Sequence, residues 1–155
     1  NVELAMDLEF KSDSPAQTIE VGRRLGERLR GGEIMGLIGA LGSGKTHLIK
    51  GIAAGAGADD PRSVNSPTFV IINEYEGRLR IYHIDAYRLN SEAEFEMLGF
   101  DDYCGPDTVV VIEWADKIMA CLEGTDLITV RTSHLSQSER SISISNAPAY
   151  LVKSL

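Results

Sequence analysis

Residues Glu33–Thr46 read EIMGLIGALGSGKT, and this stretch decides the fold. A short apolar run, Ile34–Ile38, leads into a glycine-rich turn, and Lys45-Thr46 open an amphipathic pattern. Gly39, Gly44, Lys45 and Thr46 match the phosphate-binding spacing G-x-x-x-x-G-K-[ST], with Leu41, Gly42 and Ser43 supplying backbone N–H groups between them. The chemistry dictates these residue types. Successive amides must turn inward around a phosphate chain, which glycines permit at close range. A helix N-terminus behind the loop adds the positive end of its dipole. Lys45 is placed to reach the β- and γ-phosphates and the Thr46 hydroxyl to meet Mg²⁺. The expected cofactors are ATP or ADP and Mg²⁺.

Upstream, Val2, Leu4, Met6, Leu8 and Phe10 alternate with polar or small residues, the period of a half-buried strand. Ser14-Pro15 with Gln17 is a capping box with proline at the first helical position. Ile19, Gly22, Leu25, Gly26 and Leu29 then trace one helical face whose glycines allow close approach to a neighbour, and Gly31-Gly32 stop it. Ser12 and Thr18 lie at the strand-to-helix corner, where hydroxyls either bond the turn or reach a nucleotide; Ser12 is a candidate nucleotide contact.

Downstream, Leu48, Ile49, Ile52 and Ala53 line the buried side of the helix that follows the loop, ending at Gly55 and Gly57; His47 reads as a surface or packing residue. Asp59–Asn65 is a loop. Phe69–Tyr75 and Leu79–Ile84 pair as a hairpin about Glu76-Gly77. Ser91 and Glu94 cap a short helix closed by Gly99. Val109–Ile112 is an uninterrupted apolar run that suits a strand buried on both faces. A modest helix over Ala115–Leu122 and two late strands at Leu127–Val130 and Ile142–Ile144 complete the pattern, and the tail from Pro148 carries no signal. These elements predict one domain over residues 1–155. Its fold is an α/β, P-loop NTPase-like three-layer sandwich with a mixed sheet, parallel at its centre.

Hydrolysis needs more than a phosphate cradle: a held metal and a positioned water. Ligands in open α/β sheets sit at the carboxyl ends of strands. Asp85 and Glu113 stand at two such ends. Glu113 follows the more apolar strand and is assigned to Mg²⁺ together with Thr46; Asp85 is assigned to the attacking water, although position alone lets these roles exchange. Lys45, Asp85 and Glu113 form the catalytic set. Ser66, Thr68 and His83 serve equally well as turn or packing residues and as γ-phosphate contacts. Arg88 either meets phosphate or pairs with Asp85. Trp114 reads as a core or rim aromatic.

The 155 residues carry a formal net charge of −8, which gives no general attraction to nucleic acid or anionic lipid. No apolar stretch has the length of a membrane span, and no secretory leader pattern is visible. Cys104 and Cys121 have neither metal-ligand spacing nor a disulfide framework, so both are expected as reduced thiols in a cytoplasmic protein.

Taken in order, GALGSGKT (Gly39–Thr46), SPTF (Ser66–Phe69), YHIDAYRL (Tyr82–Leu89) and VIEW (Val111–Trp114) resemble the TsaE family, also called YjeE. The resemblance implies a weak, Mg²⁺-dependent cytoplasmic ATPase, stimulated by partner proteins and required for threonylcarbamoyladenosine formation in tRNA. The implied partners are TsaB and TsaD homologues, with tRNA met only indirectly, no membrane, and at most weak self-association. It assigns Thr46 and Glu113 to Mg²⁺, Gly42–Thr46 to phosphate, Asp85 to hydrolysis and Arg140 to the nucleotide. Glu139 stands where the family usually has glycine. Two other readings use the same loop. A small-molecule P-loop kinase is opposed by the short chain and the lack of an Arg-rich lid. A GTPase-type module is opposed by the absence of N-K-x-D and by a D-x-x-G segment, Asp102–Gly105, that follows no strand.

Overall fold

The computed structural model describes residues 5–58 and 71–155; Ser66, Thr68 and the start of the first predicted strand lie outside them. Seven strands are described: β1 (Ala5–Ser12), β2 (Ile34–Ile38), β3 (Ile72–Tyr75), β4 (Arg80–Asp85), β5 (Thr108–Glu113), β6 (Leu127–His134) and β7 (Arg140–Pro148). They form one sheet in the order β1-β7-β6-β2-β5-β4-β3. The pairs β6–β2, β2–β5 and β5–β4 are parallel, whereas β1–β7, β7–β6 and β4–β3 are antiparallel. The sheet is therefore parallel at its centre and antiparallel at both margins, as the sequence predicts.

Two apolar layers cover the sheet. On one face Met35, Leu37, Val109 and Val111 pack against α1 (Pro15–Arg28) and α2 (Lys45–Gly55). On the other, Val110 and Ile112 meet Phe95 of α3 (Glu92–Met97), Phe100, Ile118 and Leu122. Val109–Ile112 thus serve both cores, and all four are fully buried, which explains their unbroken hydrophobicity. Burying a side chain of that size contributes about 1.5–3 kcal/mol.

The caps form as their residues require. The Ser14 hydroxyl accepts from Gln17 N at 3.2 Å, while Gln17 Oε1 accepts from Asp13 N. Ser91 accepts from Glu94 N at 3.2 Å, and Glu94 accepts from Asn90 N. Glycines set the spacing between α1 and α2. A Cβ at Gly22 or Gly26 would collide with the carbonyl oxygens of Leu48 or Ile52, and one at Gly51 or Gly55 with those of Ile19 or Arg23. The two backbones touch directly, which fixes the phosphate-loop helix against α1. At the far end of α1, Arg78 donates to the carbonyls of Gly26 at 2.8 Å and Leu29 at 2.7 Å, satisfying groups that a helix end leaves open.

Three regions differ from the sequence reading or add to it. Residues Ala115–Leu122 form a 3₁₀ segment broken at Ile118, whose φ of −132° is not helical. Strands β6 and β7 run well beyond their apolar centres, because hairpin pairing continues to His134↔Arg140 regardless of side-chain polarity. The tail is ordered: α4 (Ala149–Val152) buries Leu151 and Val152. Tyr150 donates to Glu33 at 2.8 Å, and Arg28 donates to the Lys153 carbonyl at 2.7 Å.

Candidate functional site

Parallel pairing delivers the acids to the loop. Glu113 is the register partner of Leu37 in β2, one residue before β2 ends, and also of Asp85 in β4. The strand ends at 37, 113 and 85 are thus lateral neighbours on the carboxyl edge of the sheet, and the glycine loop leaves from the same edge.

The loop adopts the conformation its glycines permit. Gly42 and Gly44 have φ of 77° and 106°, where a Cβ is unfavourable. Gly44 is the N-cap of α2 and, being glycine, caps it with no side chain; the start of a helix carries the positive end of its dipole, which favours an anion. The first glycine is needed for space: a Cβ at Gly39 would lie 2.6 Å from Ser43 Oγ and from the Thr132 carbonyl. Ser43 and Thr132 are joined hydroxyl to hydroxyl at 2.6 Å, both almost wholly buried, so β6 anchors the loop from behind. Leu41 is the outward tip, 86% exposed.

Lys45 donates to the Gly39 carbonyl, and its ammonium lies 3.4 Å from the centroid of the Trp114 ring. This is a cation–π contact. Trp114 has φ of 58° and packs on Tyr87 with ring centroids 5.0 Å apart; it is a rim aromatic that holds the loop lysine. Burial pushes the Lys45 pKa below its ordinary value, partly opposed by the charges of Glu113, Asp116 and Asp85.

Glu113 is buried, and its Oε1 lies 2.6 Å from Nε2 of the fully buried His83. His83 Nδ1 is in turn 3.3 Å from the Tyr75 hydroxyl. Asp85 accepts from Tyr87 N at 3.1 Å, and Arg88 pairs with its other oxygen at 3.4 Å, which is one of the two roles open to Arg88. Burial pushes the Asp85 carboxyl above its ordinary range, and the neighbouring Glu113 charge acts the same way.

A cavity of about 250 Å³ is lined by Leu41, Gly42, Gly44, Lys45, Thr46, His47, Glu113 and Trp114. It brings together a hydroxyl, a carboxylate and the loop amides. No group of three or more His, Cys, Asp or Glu able to hold a metal exists among the described residues. That donor set fits Mg²⁺, which takes one or two protein oxygens and completes its shell with water and phosphate. A second cavity of about 300 Å³ adjoins it, sharing Gly42, Gly44 and His47, and includes Thr18 and Arg140. Together they make a groove across the loop.

Arg140 borders this groove, donating to the carbonyls of Ser136 and Gln137 at 3.1 and 3.2 Å. Ser12 is set back from it. Its buried hydroxyl bonds Thr18 Oγ1 at 2.8 Å and the Ser14 carbonyl at 2.9 Å, so Thr18 stands between Ser12 and Gly44. The structure brings together Lys45, Thr46, Glu113 and Asp85, and adds Thr132 and Tyr75, which carry no sequence signal. A cavity of about 380 Å³ between α3 and residues 100–102 is lined by Glu96, Asp101 and Asp102 and shares nothing with the loop.

Fold and site geometry define a three-layer α/β protein of the P-loop NTPase-like class. The crystal structure of Bacillus subtilis YdiB matches with a TM-score of 0.72 and 26% identity, covering 93% of this chain and 88% of that one. The family model described as "Threonylcarbamoyl adenosine biosynthesis protein TsaE" matches residues 12–142. The Bacillus subtilis tRNA threonylcarbamoyladenosine biosynthesis protein TsaE is 40% identical over 112 residues, 72% of this chain and 68% of that protein. Its Treponema pallidum namesake is 37% identical over 134 residues, 86% of this chain and 96% of that protein. The chain belongs to the TsaE family of threonylcarbamoyladenosine biosynthesis proteins. No helix among the described residues is long and apolar enough to cross a membrane.

Proposed function

We propose that this chain is a cytoplasmic, Mg²⁺-dependent ATPase of the tRNA threonylcarbamoyladenosine machinery, and that its hydrolysis drives turnover of a TsaB–TsaD complex. One observation carries the ATPase reading: Asp85 and Glu113 pair in register beside the strand that feeds the glycine loop. The distant segments that hydrolysis requires therefore end at the same edge as the phosphate cradle.

The residues divide the work. Amides of Gly42–Thr46 hold the phosphates. Lys45 exchanges the Gly39 carbonyl and the Trp114 face for phosphate oxygens. Thr46 and Glu113 would hold Mg²⁺, which when bound neutralises developing charge on the phosphates. Asp85 orients the attacking water; a carboxylate whose proton affinity is raised by burial is the better hydrogen-bond acceptor for that role. Ser12 contributes through Thr18, and Arg140 and Thr18 face the nucleoside end of the groove. The output is a change in a protein complex, since the net charge of −8 disfavours this chain as the principal reader of tRNA.

Phosphate release from Mg-ATP is compared with and without TsaB and TsaD homologues. Weak release alone and stimulated release in their presence is expected. Equal, feeble release in both, with tRNA modification proceeding in the absence of this chain, refutes the reading.

A further inference from the structure

We propose that His83 is a positioning residue that sets the orientation of the Glu113 carboxylate for the metal. The inference rests on the Mg²⁺ reading above and adds to it a residue and a mechanism. His83 pairs in register with Val111 of β5, and side chains two apart on a strand share a face. Glu113 is therefore its diagonal neighbour on the layer covered by α1 and α2. In the hairpin, Asn73 pairs with His83, which makes Tyr75 the diagonal neighbour on the other side. Tyr75, His83 and Glu113 consequently cross three strands in one diagonal line, through a layer otherwise built of Ile81, Val109 and Val111.

The line has a direction. Burial pushes the Tyr75 pKa up, so the phenol stays a hydroxyl with a proton to give. Its O–H is then donated to His83 Nδ1 at 3.3 Å. That leaves the ring proton on Nε2, 2.6 Å from Glu113 Oε1. His83 has no exposed surface, and among the described residues no buried side-chain nitrogen or oxygen lacks a partner. A buried carboxylate gripped in this way cannot swing about its last torsion. Outer hydrogen bonds of this kind orient metal ligands, and their loss commonly weakens metal affinity about 10–100-fold.

The test follows Trp114, the only tryptophan, which touches Lys45 and adjoins Glu113. The full chain is titrated with MgCl₂ in the presence of ADP, and ADP affinity in EDTA is measured separately by calorimetry. H83A is expected to move the Mg²⁺ midpoint upward about 10–100-fold while the EDTA affinity holds within about twofold. H83Q, whose amide nitrogen reaches the imidazole Nε2 position, should recover most of the loss, and H83N, whose nitrogen falls short, should not. If H83A does not fold, the H83Q and H83N pair decides the matter. Y75F, which removes the group that fixes the tautomer, should give a smaller shift of the same sign. A folded H83A or H83N with the wild-type Mg²⁺ midpoint overturns the proposal alone, as does a loss of thermal stability and EDTA affinity together with an unmoved midpoint. Wild-type protein whose ADP binding ignores Mg²⁺ overturns the metal reading and this inference with it.

Discussion

Thr132→Val tests whether β6 anchors the phosphate loop. Thr132 and Ser43 hydroxyls share one hydrogen bond of 2.6 Å and are 4% and 1% exposed. Valine keeps the volume but removes the partner of Ser43. An unpaired buried hydroxyl costs about 1–3 kcal/mol. A methyl also cannot rest 2.6 Å from an oxygen, so the sign is reinforced by crowding beside Gly39. For a chain of this size each kcal/mol lowers Tm by about 2–4 °C, which predicts a fall of about 2–12 °C. Thermal unfolding followed by circular dichroism measures it, and ADP calorimetry measures the accompanying loss of affinity as the loop loosens. Ser43→Ala should cost a similar amount, whereas the double variant should cost clearly less than the sum, since removing both partners leaves no orphan. A Tm within 1 °C of wild type for T132V, or strict additivity in the double variant, refutes the anchoring argument.

Further outcomes follow from the same geometry. Lys45→Ala should weaken ADP affinity and turnover together, while Glu113→Ala should spare most of the affinity and abolish turnover; calorimetry and phosphate release separate the two, and an E113A protein with normal Mg²⁺-dependent hydrolysis contradicts the metal assignment. Asp85→Asn should abolish hydrolysis yet raise Tm near pH 8. Burial raises the folded pKa of Asp85 above its unfolded value, so its contribution is most favourable below the unfolded pKa and is lost as pH rises through the folded one. The stability gain of D85N should accordingly shrink toward pH 4, and a gain that grows on acidification is the contrary result. Gly26→Ala would press a methyl into the Ile52 carbonyl and should cost about 1–3 kcal/mol or more, read as a lower urea midpoint; an unchanged midpoint argues against backbone contact between α1 and α2.

The sequence by itself determined what is local. The loop, its glycine requirement, the helix behind it and the caps at Ser14 and Ser91 are written within a few residues of one another. The buried strand ending at Glu113 is legible because a run with no polar alternation has few places to go. The acids Asp85 and Glu113 were identifiable as strand-end residues, and the pairing β2–β5–β4 then set them side by side. The glycines of α1 announced a close neighbour, although not that α2 would answer with Gly51 and Gly55.

Only the tertiary structure decided which distant groups hold the site. Ser43 and Thr132 are 89 residues apart, and His83 and Glu113 are 30 apart. No periodicity encodes such contacts, because each depends on which strands become neighbours and in what register. The same holds for Trp114 under Lys45, for the 3₁₀ segment that follows it, and for the tail that Tyr150 fastens to Glu33. Propensity and pattern report the chain against its immediate neighbours; a hydroxyl, an imidazole or a carboxylate acquires its partner only when the sheet is assembled, and it is there that buried polar groups must be satisfied.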